Sequence, residues 1–135
     1  MLKIMVVDDE RDVVELLDYV LKDDEYEVFH AFSGKEALEM LGILPSDRPV
    51  IEPDLLVLDV LMPDIDGYTV QTKMLDNDKT RNIPIVVLSA KEQMKELFSV
   101  ASNVVAYIDK PFDPDYLKTK IRVMVQNIKS KRETK

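Results

Sequence analysis

Ile4-Met5-Val6-Val7-Asp8-Asp9 and Leu55-Leu56-Val57-Leu58-Asp59 decide the fold, because each is a short apolar run that stops on a carboxylate. A third run, Ala106-Tyr107-Ile108-Asp109, leads into Lys110 and Pro111. Runs of this length with almost no polar alternation are what parallel strands covered on both faces require. Laid side by side, they bring their C-terminal ends to the edge where open α/β sheets hold their ligands. Carboxylates gathered at one point repel each other unless a cation joins them. The pattern therefore predicts a divalent-metal site with a chemically available carboxylate.

Outward from these runs the same rhythm continues. Strand patterns fall at residues 3–7, 27–31, 55–59, 85–88 and 106–108. Between and after them, apolar residues keep helical spacing: Val13, Leu16, Leu17, Val20 and Leu21 in a first helix, and Ala37, Leu38 and Leu41 in a short second one. Val70, Met74 and Leu75 mark a third, Met94, Leu97, Phe98 and Ala101 a fourth, and Leu117, Ile121, Met124, Val125 and Ile128 a fifth. Strand–helix alternation repeated five times predicts a doubly wound α/β sandwich, a five-stranded parallel sheet with five helices. One segment breaks the rhythm. Residues 42–53 hold Pro45, Pro49 and Pro53 and cannot continue a helix, so a surface loop away from the acids is expected there.

The chain has 135 residues, enough for one domain with a filled core, and 46% of them are apolar. A net charge of −8 argues against direct nucleic-acid binding, which needs a basic face. The basic residues near the end, Lys129, Lys131, Arg132 and Lys135, leave the rest of the chain more acidic still. Residues 1–128 are read as one domain, and 129–135 as a basic tail or the start of a linker. The absence of cysteine excludes disulfides and thiolate chemistry. No apolar stretch approaches membrane-spanning length, so no membrane partner and a cytoplasmic location are expected.

Taken singly, each polar residue at these strand ends has an ordinary explanation. Aspartate caps helices well, Asp59 could be a turn residue, and a lysine before proline could lie at the surface. Two adjacent acids, a third acid and a lysine on one edge are better explained as a site. Mg2+ suits hard oxygen ligands and needs only one or two carboxylates. A metal there leaves Asp59 as a carboxylate nucleophile able to form an aspartyl phosphate, with Lys110 supplying an ammonium. Ser89 follows Ile85-Val86-Val87-Leu88 and would cap the next helix or donate to a phosphoryl oxygen. Tyr107 is a half-buried aromatic with a polar tip. His30, the one histidine, reads as structural.

These pieces resemble the receiver domain of two-component response regulators, which has the flavodoxin-like strand order 2-1-3-4-5. The matching stretches are Val6-Val7-Asp8-Asp9-Glu10, Leu58-Asp59-Val60-Leu61-Met62-Pro63, Asp66-Gly67, Leu88-Ser89-Ala90 and Tyr107-Ile108-Asp109-Lys110-Pro111-Phe112. The resemblance implies that Asp59 accepts a phosphoryl group from a sensor histidine kinase or phosphotransfer protein. It implies Mg2+ bound by Asp9 and Asp59 directly, by Asp8 mainly through water, and by the Leu61 carbonyl. Lys110 would pair with the phosphoryl group, ahead of a cis Pro111, and Ser89 with Tyr107 would form the switch. The surface that responds would be the fourth helix, fifth strand and fifth helix, facing a downstream effector or covalent output domain and leaving room for a dimer. Such a module catalyses only its own phosphorylation and dephosphorylation.

The sequence departs from the family pattern in three places. Ser102-Asn103-Val104-Val105 stands where a Gly-Ala pair is usual, with one residue fewer, and the 42–53 loop is longer than usual. Leu61 and Lys91 stand where an acid or amide would orient an attacking water, which predicts a long-lived phosphoryl group. Three alternatives stay open beside this reading. A haloacid-dehalogenase-type phosphatase would need a second acid where Leu61 stands. A flavodoxin would need a phosphate loop where Asp8-Asp9-Glu10 would repel the phosphate. An unphosphorylated pseudo-receiver scaffold is disfavoured by the filled acid positions.

Overall fold

The apolar runs become five parallel strands: β1 (Leu2–Val7), β2 (Tyr26–Ala31), β3 (Leu55–Asp59), β4 (Ile85–Ser89) and β5 (Val104–Asp109). The computed structural model of the chain describes residues 1–22, 25–89, 98 and 101–133. The sheet order is β2-β1-β3-β4-β5, with every neighbouring pair parallel. This is the doubly wound, flavodoxin-like order expected from the sequence.

Four helices lie among the described residues: α1 (Arg11–Val20), α2 (Gly34–Met40), α3 (Gly67–Leu75) and a long helix, Pro114–Glu133. The expected fourth helix, 91–101, falls almost wholly outside the described residues. The long helix runs past the expected domain edge at Ile128 and takes part of the basic tail with it. There Lys129 lies 3.0 Å from Glu25, and Arg132 pairs with Asp54. None of the helices among the described residues is long and apolar enough to cross a membrane.

Side-chain alternation along each strand builds two cores, one on each sheet face. Ile4, Val6, Val57, Val86, Leu88 and Ile108 face α1 and the long helix, meeting Val14, Leu17, Leu117, Ile121 and Val125. Met5, Val7, Leu56, Leu58 and Val87 face the other way, onto Ala37, Leu38, Val70, Met74 and Phe98. β3 at the centre is buried at all five positions, which is why its sequence shows no polar alternation.

The 42–53 loop is more than a loose surface insertion. Ile43, Leu44 and Ile51 pack against the second core, and the Ile51 amide donates to the Met40 carbonyl at 2.8 Å. Arg48 returns along α2 to Glu36 in its first turn, at 2.9 Å. His30 sits in β2 as expected, with Nε2 2.5 Å from Asp18 of α1 in a contact that lacks hydrogen-bond geometry.

Candidate functional site

The strand register brings the predicted acids together. Val7 pairs with Leu58, Asp59 with Leu88 and Ser89 with Asp109, so β1, β3, β4 and β5 end on one edge. Asp8 follows β1, Asp59 closes β3 and Lys110 follows β5. The Lys110 ammonium lies 2.7 Å from Asp8 Oδ2, 3.1 Å from Asp59 Oδ1 and 3.7 Å from Glu10 Oε1. Asp8 is fully buried and Asp59 nearly so, whereas Asp9 and Glu10 are exposed. The Lys110–Pro111 peptide is cis.

Asp8 and Asp9 do not cap α1, which is the ordinary role open to them in the sequence. The N-cap is Glu10, without a side-chain cap hydrogen bond. Asp8 Oδ1 instead accepts the Glu10 amide at 2.9 Å, while its other oxygen takes the lysine. A carboxylate held from both sides in this way is a fixed negative point.

Charge and burial set the protonation of the pair. Burial pushes Asp59 up from its ordinary 3.8 to about 6, the Asp8 charge adds to the rise, and Lys110 opposes it. For Lys110, burial alone would favour the neutral amine. Its hydrogen bond to Asp8 and the charges of Asp59 and Asp8 outweigh that and hold its pKa above the ordinary 10.5. The lysine is therefore a permanent cation at neutral pH. Four carboxylates against one ammonium leave the edge in need of more positive charge.

The donors suit a hard cation. Carboxylate oxygens of Asp8, Asp9 and Glu10 all lie within 4.8 Å of one another, and Asp59 joins Asp8 through the shared lysine. Carboxylate-only chemistry with an open, solvated side is what Mg2+ accepts. Glu10 is the member the sequence reading left without a role, and its only signal was adjacency to the two acids.

The loop that carries Asp59 onward is clamped by two close approaches. A Cβ on Gly67 would lie 2.2 Å from the Asp59 carbonyl oxygen, and one on Gly34 would lie 2.3 Å from that of Ile65. The Gly67 amide donates to the Val60 carbonyl at 2.8 Å, and Asp66 caps α3 by accepting the Thr69 amide at 2.8 Å. Asp64 takes φ +65°, a conformation aspartate tolerates, and so turns the loop. Leu61 sits in this loop with 52% exposure.

Of the remaining predicted residues, Ser89 ends β4 level with Asp109, and its side chain lies outside the described residues. Tyr107 is half-buried on β5, on the second core's face, with its ring 6.5 Å from that of Phe98. Phe98 lies in turn 5.6 Å from Tyr68.

Comparison with known proteins agrees with this architecture. Residues 4–122 match the family model for the response regulator receiver domain. The chain is 31% identical over 128 residues to the regulatory protein VanR of Enterococcus faecium, covering 94% of this chain and 51% of VanR. It is 35% identical over 125 residues to the alkaline phosphatase synthesis transcriptional regulatory protein PhoP of Bacillus subtilis, covering 92% and 48%. The chain thus spans about half the length of these two relatives. Among solved structures, the chemotaxis response regulator CheY4 of Vibrio cholerae superposes with a TM-score of 0.76 at 27% identity, covering 91% of this chain and 98% of that one. The phosphorylated cyanobacterial phytochrome response regulator RcpA gives 0.76 at 26% identity, covering 90% and 89%. On its sequence, its sheet order and the family match across residues 4–122, the chain belongs to the response regulator receiver domain family.

Proposed function

We propose that Asp59 accepts a phosphoryl group from the phosphohistidine of a sensor kinase or phosphotransfer protein, and that the modified domain then signals to an effector or output domain. The observation that carries this reading is the Lys110 ammonium seated between Asp8 at 2.7 Å and Asp59 at 3.1 Å, beside further exposed acids. A phosphorylated relative of the same fold supports it.

In the reaction an Asp59 carboxylate oxygen attacks phosphorus, the P–N bond to the donor imidazole breaks, and that nitrogen regains a proton. Catalysis of this step is mostly alignment and charge neutralisation. Asp9, Asp59 and the Leu61 carbonyl would hold Mg2+, with Asp8 acting mainly through water, and the metal would supply neutralising charge there. Glu10 is close enough to Asp8 and Asp9 to contribute to the same shell. Lys110 meets the phosphoryl oxygens and is released from part of its pairing with Asp59 when that carboxylate becomes an acyl phosphate. Asp8, fully buried and fixed by the Glu10 amide, keeps the lysine in place.

Phosphorylation replaces one negative oxygen with a larger anion bearing new acceptors. Ser89 and Tyr107 are the pair that would respond, the hydroxyl by donating to a phosphoryl oxygen and the ring by turning inward. The change biases a two-state equilibrium of the fifth strand and its flanking segments. Treating the adduct with borohydride and mapping peptides tests the assignment. Reduction should convert Asp59 alone to homoserine, and conversion of a different acid would refute the role given to Asp59.

A further inference from the structure

Asn103 and Gln71 form a buried amide bridge that the phosphoacceptor chemistry does not use. Gln71 of α3 is 2% exposed and Asn103, just ahead of β5, is 4% exposed. Gln71 Nε2 donates to Asn103 Oδ1 at 3.0 Å, and Asn103 Nδ2 donates to the backbone carbonyl of Gln71 at 3.4 Å. The Asn103 carbonyl accepts the amide of Ile85, the first residue of β4, at 2.8 Å. This asparagine therefore ties α3, β4 and the start of β5 together.

β5 needs such a tie. It lies at the sheet edge and pairs with β4 alone. Its register is irregular at the entry: Ile85 pairs with Val104, but Val86 pairs with Ala106, which leaves Val105 as an extra, exposed residue. An edge strand with a bulge can slip, and a slip of one residue moves every side chain to the opposite face. It would also carry Lys110 about 3.3 Å along the strand, more than the length of its contacts with Asp8 and Asp59.

We propose that the Gln71–Asn103 bridge pins the register of β5 and so positions Lys110 at the phosphoacceptor. The inference rests on the reading of Asp59 above. Gln71 and Asn103 act through Lys110 and touch no reacting atom. Asn103 lies in the Ser102–Val105 segment, where the chain departs from its family's pattern.

The test measures phosphorylation of the full chain by acetyl phosphate with Mg2+. Gln71→Met, close in shape but unable to donate, should lower the maximal rate about tenfold and leave the half-saturating Mg2+ concentration unchanged. In a Lys110→Ala background the same substitution should have no further effect, since the group it positions is gone. The exchange variant Gln71→Asn with Asn103→Gln keeps both amides and should phosphorylate near the wild-type rate, a measurement that stands if Gln71→Met does not fold. A Gln71→Met rate equal to wild type would overturn the proposal. So would an effect that multiplies with that of Lys110→Ala, or an exchange variant as slow as Gln71→Met. A wild type that takes no phosphoryl group would overturn both this inference and the Asp59 reading, whereas a modified wild type with an indifferent Gln71→Met overturns this inference alone.

Discussion

Lys110 is the cation on which the buried acids depend. Asp8 has no exposure at all, and its partners are that ammonium and the Glu10 amide. Removing one member of a buried pair leaves an uncompensated charge, so Lys110→Ala should destabilise the metal-free protein by about 3 kcal/mol in chemical denaturation. Unchanged stability would show that solvent already screens Asp8. Asp59 behaves oppositely. Its carboxyl is raised to about 6 in the fold, so between 3.8 and about 6 the unfolded chain has lost a proton that the folded chain still holds. Metal-free stability from this group is thus greatest in acid and declines as pH rises through that window. Asp59→Asn should be more stable than wild type in EDTA, by a margin that grows from pH 4 to pH 6 and is level above it. A margin that shrinks over that range would contradict the assignment. Lys110, shifted upward, keeps its contribution through neutral pH and loses it only in alkali. At this scale Asp59 and Lys110 were legible because each terminates an apolar run. The grip on Asp8 was not, since it depends on where β1 and β5 come to rest relative to each other.

Among the elements, β3 was read to its exact ends, because a central strand buried on both faces has an unbroken apolar signature. β5 begins two residues earlier than the sequence suggested, at Val104. Val104 and Val105 are β-branched, but the bulge at Val105 hides the pairing from any local pattern. Gln71 and Asn103 are 32 positions apart and carry no signal of their own until α3 packs beside the sheet. The same is true of the close approaches at Gly34 and Gly67, which are statements about a neighbouring backbone. Gly67→Ala should therefore cost about 2 kcal/mol, from the strain of moving α3 off the Asp59 carbonyl. It should also slow phosphorylation, because Gly67 packs directly on the Asp59 carbonyl and its displacement shifts the acceptor. Wild-type stability and rate in that variant would refute the clamp.

On the scale of the whole molecule, the doubly wound order follows from the alternation of strands and helices, and it alone gathers residues 8, 59 and 110 at one edge. The chain carries a net charge of −8, and several of its acids are concentrated at that edge. Mg2+ affinity should fall as sodium chloride rises from about 0.05 M to about 0.5 M, since screening weakens attraction to the exposed Asp9 and Glu10. Calorimetry showing no salt dependence would place the metal away from these acids. The central claim is that Asp59 is a Mg2+-dependent phosphoacceptor, and intact mass after incubation with acetyl phosphate tests it most directly. The account predicts a single phosphoryl adduct on the wild type, none on Asp59→Asn, and none on either protein in EDTA. An adduct that survives in Asp59→Asn, or a wild type that stays unmodified with Mg2+ present, would contradict it.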